Sequence, residues 1–304
     1  MAGICEGRVV VITGAGRGIG RAHAIEFARQ GASVVVNDLG AEVDGTGRSS
    51  GPAGEVVDEI TAMGAKAVAN GDDVADTDGA ARLIETAVEA FGGVDVLVNN
   101  AGILRDRMFV NMTPDEWDAV IRVHLRGTYA PMRAAAEHWR NRSKAGETND
   151  ARVINTTSPS GIYGNVGQAN YGAAKAGIAA MTVITSMELG RYGVTVNAIA
   201  PAALTRMTEN LGSFERTPKP DQFDANDPDN IAPLVVWLGS SESKDITGRV
   251  FNVHGGHISV AEGWVSGPSA DKGDRWESAE LGSVVPGLVA KAAPNANMFG
   301  QRSS

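Results

Sequence analysis

The sequence predicts a single doubly wound α/β domain, with a seven-stranded parallel sheet and helices on both faces. Three observations predict it. Short runs rich in Val, Ile and Ala recur at 8–12, 33–37, 66–69, 94–98, 152–156, 194–199 and 250–253. Longer helical patterns lie between them, near 18–30, 53–63, 77–91, 114–140, 170–191 and 228–239. Strand–helix alternation of this kind gives a parallel sheet with right-handed crossovers. Third, Val9-Val10-Val11-Ile12 and Val34-Val35-Val36 are apolar without alternation, as strands buried on both faces are.

Three stretches fall outside this frame. The Gly/Ser-rich segment 40–52 reads as a loop. Residues 203–227 read as a helix followed by an irregular segment around Thr217-Pro218-Lys219-Pro220. From 258 to 304 the chain is rich in Gly, Pro and Ala and reads as an irregular C-terminal extension. It is expected to be a loose surface wrap or partly disordered. Its tryptophans, Trp264 and Trp276, leave docking on a partner subunit or over the active site open.

The chain has 304 residues, 43% hydrophobic and 21% charged, the balance of a globular protein with a large core. A net charge of −9 weighs against nucleic acid and anionic membranes as partners. An anionic ligand then needs local donors. The one cysteine, Cys5, has no internal partner, which suits a reducing compartment. The first ten residues hold no secretory pattern. No apolar run approaches the ~20 residues of a membrane span. The last four residues, Gln-Arg-Ser-Ser, are not a peroxisomal address. A cytoplasmic protein is expected.

The first strand runs into Thr13-Gly14-Ala15-Gly16-Arg17-Gly18-Ile19-Gly20. Glycines there let the backbone turn tightly and approach a pyrophosphate, while the helix that follows offers N–H groups and the positive end of its dipole. A strand before and a helix after are the context this motif requires. It assigns residues 1–257 to a dinucleotide-binding domain.

Asp38 ends the second strand, 18 positions after Gly20. A carboxylate there accepts hydrogen bonds from an adenosine 2′-hydroxyl and repels a 2′-phosphate, which favours NAD over NADP. A turn-forming Asp before Gly40 is the plainer reading. Arg17 weighs the other way, since a base there reaches a 2′-phosphate. The direct charge clash gives Asp38 the greater weight.

Tyr171 and Lys175 are four residues apart and share one helix face. A phenol titrates near ~10, too high for a base at neutral pH, unless a nearby cation lowers it. Lys175 is that cation, and Tyr171 then exchanges the proton of an alcohol. Ser158, 13 residues before Tyr171, has a hydroxyl placed to steady the substrate oxygen.

Together, Thr13–Gly20, Asn99-Asn100-Ala101-Gly102, Ser158, Tyr171 and Lys175 resemble the short-chain dehydrogenase/reductase family over about residues 7–257. The resemblance implies a Rossmann-type fold. It also implies cofactor contacts from Gly14, Arg17, Gly18, Ile19, Gly20, Asp38, Asp73, Val74, Asn100, Ala101, Gly102, Tyr171, Lys175 and Pro201, with NAD as the cofactor. Longer strings, Asn37–Gly40, Gly102–Arg107, Val123–Gly127 and Gly161–Asn165, are similar to one subfamily. That is the (3R)-hydroxyacyl-CoA dehydrogenase part of multifunctional enzyme type 2, also called 17β-hydroxysteroid dehydrogenase type 4. The likeness is poor beyond 258.

His124 stands where most of the wider family has an asparagine in a water relay to the lysine. A relay role and a structural role inside the 114–140 helix stay open. Arg105 and Arg107 either meet anionic ligand groups or face water. His254 and His257 resemble a metal motif only superficially, and no metal is expected. Trp139 and Trp237 are packing residues.

The expected activity is NAD-dependent interconversion of a secondary alcohol and a ketone, with (3R)-hydroxyacyl-CoA and 3-ketoacyl-CoA as the pair. The alternatives are a dehydrogenase of free hydroxysteroids and a 3-ketoacyl-acyl-carrier-protein reductase. A nucleotide sensor on the same fold has no need of Ser158, Tyr171 and Lys175 together. The resemblance further implies a homodimer or homotetramer paired through the helices near 114–140 and 170–191.

Overall fold

A computed structural model describes residues 3–47, 51–206 and 222–302. Its centre is one sheet of eight strands in the order β3-β2-β1-β4-β5-β6-β7-β8. The strands are β1 (Val9–Thr13), β2 (Ser33–Asn37), β3 (Lys66–Asn70), β4 (Val96–Asn99), β5 (Ala151–Thr156), β6 (Val194–Pro201), β7 (Val250–His254) and β8 (His257–Ala261). Pairings from β3 through β7 are parallel. Every residue of β1, β4 and β5 is buried, including the polar Arg152, Asn155 and Thr156 of β5.

The sheet therefore differs from the expected seven parallel strands by one antiparallel edge strand. β8 returns along β7 through Gly255 and Gly256, pairing His254 with His257. Gly255 has φ of +51°, and a two-residue Gly-Gly turn with positive φ is a hairpin signal. The strand runs across the 257/258 boundary and occupies the start of the expected extension.

The helices are α1 (Gly18–Arg29), α2 (Gly51–Ala62), α3 (Thr77–Phe91), α4 (Pro114–Ile121), α5 (Gly127–Lys144), α6 (Pro159–Tyr163), α7 (Ala169–Leu189), α8 (Ala232–Gly239) and α9 (Leu281–Lys291). One apolar core, with Phe27, Ile60 and Leu238, fills the face under α1, α2 and α8. A second, with Leu83, Trp139 and Leu189, fills the face under α3, α5 and α7. Trp139 is a packing residue, and its indole N–H donates to the Val94 carbonyl at 2.7 Å.

Three expectations need correction. The single helix at 114–140 is two helices joined by a π-helical turn, Arg122–Arg126, with His124 at its centre. A period of 3.6 residues does not reveal one inserted residue, and such turns gather at functional sites. The 258–304 segment is not wholly irregular, since it holds β8 and α9. Pro286 and two glycines inside α9 hide its helical pattern. Of the segment 40–52, Gly51 and Pro52 already belong to α2. The helix expected within 203–227 falls largely on 207–221, outside the described residues.

Candidate active site

Strand order reverses between β1 and β4. The loops leaving these strands diverge there and open a crevice at the carboxyl ends of the sheet, where ligands bind in this architecture. A cleft of about 1570 Å³ occupies the position. All sixteen residues named above as catalytic or cofactor-contacting line it.

The end expected to take the cofactor is built from backbone. A Cβ on Gly20 would lie 2.1 Å from the Gly14 carbonyl oxygen, so only glycine lets α1 start this close to the β1 loop. Asn100 braces the same loop, its amide donating to the Thr13 and Gly14 carbonyls at 3.1 and 3.0 Å. Thr13 answers from β1, its Oγ1 accepting from Asn100 and Ala101 backbone N–H at 2.9 and 3.1 Å. The α1 N-terminus is thus held open toward the cleft, a cradle of the kind that takes a pyrophosphate.

Asp38 is fixed by two backbone donors, Gly16 N–H to Oδ2 at 2.8 Å and Gly40 N–H to Oδ1 at 2.7 Å. Exposed Arg17 lines the same cleft. Asp73 receives Ala75 N–H at 2.9 Å and pairs with Arg122 at 2.6 Å. Val74 is buried beside it, and Pro201 closes β6.

At the other end of the cleft, the β5 terminus carries Ser158, which caps α6 by accepting from Ser160 N–H at 3.2 Å. A hydrogen bond links Ser158 to the Tyr171 phenol. The Lys175 ammonium sits 5.5 Å from the Tyr171 ring centroid and donates to the Thr156 carbonyl at 2.6 Å. Burial pushes the Tyr171 pKa up to about 12, against the Ser158 hydrogen bond and with help from the Asp106 charge. Burial also lowers Lys175 to about 7. The protein by itself therefore keeps the phenol protonated, and a cationic ligand beside it would favour the phenolate.

His124 meets Tyr171 edge to face, with centroids 5.1 Å apart. Its Nε2 lies 2.7 Å from the Ile103 carbonyl oxygen. Burial, then the Lys175 charge, takes its pKa to about 3, so the ring is neutral. Nδ1 is buried and meets no hydrogen-bond partner among the described residues. A Cβ on Gly102 would lie 2.4 Å from this ring, which explains a glycine there.

Sequence reasoning missed several lining residues. Thr13 braces the cleft from behind through its hydroxyl without lining it. Asp106, Gln168 and Tyr163 line the substrate end, and nothing in their spacing marks them. The loop 40–47 docks on the segment 102–107, Leu104 N–H donating to Val43 at 3.0 Å and Arg105 to Asp44 at 2.9 Å. Two strings singled out separately thus touch each other. Arg107 instead pairs with Glu116 at 2.7 Å. His254 meets Asn226 at 3.3 Å. Among the described residues no three His, Cys, Asp or Glu side chains gather to hold a metal, and no helix is long and apolar enough to cross a membrane.

Comparison with known proteins decides the family. The family model described as short chain dehydrogenase matches residues 8–216. The chain belongs to that family. It is an oxidoreductase of the short-chain dehydrogenase type, on a Rossmann-like domain. A crystal structure of a short chain dehydrogenase from Mycobacterium avium superposes with a TM-score of 0.88 at 58% identity, over 98% of this chain and 100% of that one. Hydroxyacyl-CoA dehydrogenase ChsB1 of Mycobacterium tuberculosis is 42% identical over 300 residues, 95% of this chain and 90% of its own length. Peroxisomal multifunctional enzyme type 2 of Mus musculus is 43% identical over 280 residues, 92% of this chain but 34% of the mouse protein. Both alignments extend past residue 258 into the C-terminal segment.

Proposed function

We propose that this short-chain dehydrogenase oxidises a (3R)-3-hydroxyacyl-CoA to the 3-ketoacyl-CoA with NAD. The observation that carries the substrate is the 42% identity, along nearly the whole of both chains, to a protein named a hydroxyacyl-CoA dehydrogenase. The cleft supports it, being large enough for a dinucleotide and an acyl chain together.

The residues fit the cofactor. The glycine cradle at α1 takes the pyrophosphate, Asp38 the adenosine ribose, and Lys175 the nicotinamide ribose. Bound there, the nicotinamide supplies the hydride acceptor. Ser158 holds the substrate oxygen and Tyr171 takes its proton, with Lys175 stabilising the phenolate. Reduction reverses these roles. His124 positions the Tyr171 ring through its edge. In NAD preference Asp38 outweighs Arg17, because its fixed carboxylate would face a 2′-phosphate. The enzyme acts as a homodimer or homotetramer through α4, α5 and α7. The exposed Val183, Ile184 and Met187 on α7 favour that surface.

A second reading has its own support. A protein of Synechocystis named 3-oxoacyl-[acyl-carrier-protein] reductase is 40% identical over 97% of its length. Measuring kcat/KM for matched CoA thioester, carrier-protein thioester and free hydroxysteroid, each with NAD and NADP, tests the proposal. Preference for the CoA thioester with NAD supports it. Equal use of free steroids, or preference for NADP with the carrier-protein thioester, overturns it.

A further inference from the structure

The segment Gly102–Arg107 was singled out for resemblance alone, and the chemistry above leaves its acid unused. Asp106 lines the cleft together with Ser160, Gln168 and Tyr171. Its Oδ2 accepts from Gln168 Nε2 at 2.7 Å. Gln168 is buried, and its Oε1 accepts from Ser160 Oγ at 2.7 Å and Asn165 Nδ2 at 2.9 Å. Two donors on that oxygen fix which way the amide points, so Nε2 must face Asp106. Ser160 in turn donates its backbone N–H to Ser158. Hydrogen bonds through Gln168 and the covalent frame of Ser160 therefore connect the Asp106 carboxylate to the hydroxyl that holds the substrate oxygen.

Asp106 has no ion-pair partner among the described residues, and burial raises its carboxyl pKa against the Gln168 hydrogen bond, so its charge stands uncompensated above that raised value. The two neighbouring cations are committed elsewhere, Arg105 to the Asp44 carbonyl and Arg107 to Glu116. Asp106 lines the same cleft as Ser158 and Tyr171, and its charge acts on the Tyr171 phenol, helping to raise its pKa. A field that opposes negative charge on the phenol also opposes it on a substrate carboxylate. In a free 3-hydroxy acid that carboxylate is two carbon–carbon bonds from the alcohol held by Tyr171. In a thioester the same carbon is uncharged.

We propose that Asp106 is a specificity-determining residue whose carboxylate excludes free 3-hydroxy acids from the cleft and admits the neutral thioester. The proposal rests on the thioester reading above for its natural substrate, but the exclusion itself concerns only charge. It is specificity by repulsion, built against the wrong ligand rather than for the right one.

The test compares kcat/KM for the 3-hydroxybutyrate anion, its uncharged methyl ester and the matching CoA thioester, at one pH and salt concentration. Wild type, Asp106→Asn and Asp106→Glu are measured. Asparagine keeps an oxygen for Gln168, so the serine loop stays held while the charge goes. The anion-to-ester ratio is expected to rise on the order of ten-fold in Asp106→Asn and to stay low in Asp106→Glu. An unchanged ratio in Asp106→Asn overturns the assignment. So does equal use of anion and ester by the wild type, or a loss of ester turnover in Asp106→Asn that Asp106→Glu shares. If the wild type uses the ester but not the CoA thioester, the proposed substrate fails while the ratio still decides the role of Asp106.

Discussion

On the cofactor side of the cleft, the lining residues come from the first positions after β1, β2 and β4, and backbone groups hold them. Gly14 to Gly20, Asp38 and Asn100 each sit within a few residues of a strand end. On the substrate side the lining is gathered from Asp106, Tyr163, Gln168, Asn252, Ser259 and the far C-terminal Met298, Phe299 and Gln301. Side chains hold this end together. Asn252 donates to the Tyr163 hydroxyl at 3.1 Å and to Ser259 at 3.2 Å. A small turn at 296–302 closes on Tyr163, where a Cβ on Gly300 would lie 2.8 Å from the phenol oxygen. Backbone scaffolding constrains sequence at fixed spacing. Side-chain scaffolding assembled over long separations permits exchange, and suits the end that must discriminate substrates.

Replacing Tyr171 by Phe separates the two sides most sharply. The phenol is the proposed proton-exchanging group, while the proposed cofactor contacts are mostly backbone and ribose. Turnover is expected to fall about 10²–10⁴-fold, with NADH affinity nearly unchanged in a fluorescence titration. Activity within a few-fold of wild type would remove Tyr171 from the chemistry. Asp38→Ala acts on the other side alone. Removing its charge is expected to shift the NAD-to-NADP ratio of kcat/KM by about 10–100-fold toward NADP, with the ratio between short and long thioesters unaltered. A wild type that prefers NADP would make Arg17 the controlling residue.

This division also explains what the sequence disclosed. The parallel strands, the phosphate loop and the Tyr171/Lys175 pair were legible because each is a short pattern whose spacing follows from strand or helix geometry. Asp106 was not, because its meaning depends on Gln168, 62 positions away. The π-helical turn at His124 was hidden because one extra residue leaves the apolar pattern almost intact. β8 was in fact legible, since Gly255-Gly256 between two short apolar runs is a hairpin signal. α9 buries none of its residues, so no burial pattern existed to read.

Acid sensitivity is expected from buried histidines on both sides of the cleft. His23 on α1 is fully buried, and neither ring nitrogen meets a hydrogen-bond partner among the described residues. Burial lowers its pKa from 6.5 to about 3. The unfolded chain therefore binds a proton that the folded one refuses, and stability present above the unfolded value is lost as pH falls from 6.5 toward 3. At pH 5 the loss is about 2 kcal/mol for one such histidine. His124 has the same shift, and burial lowers the half-buried His138 in the same direction, so three histidines share the slope. In urea unfolding between pH 7 and 5, His23→Leu is expected to remove about as much of the loss as His124 contributes, and to leave the His138 part. An unchanged slope would mean that His23 gains a partner or water on protonation.

The smallest effect belongs to the C-terminal turn. Phe299 lines the cleft yet is 85% exposed, so it buries little against the protein alone. A long acyl chain entering beside it would cover part of the ring, whereas a short one would not reach it. Truncation to Ala then removes on the order of 0.7 kcal/mol of apolar contact, about a three-fold rise in KM. That rise is expected for long-chain thioesters only, with kcat, the NAD constants and short-chain turnover unchanged. A rise shared by short and long substrates would instead mean that the turn acts through Tyr163 and its hydrogen bond to Asn252. The C-terminal segment would then brace the substrate end as a whole, and Tyr163→Phe should reproduce the same uniform rise.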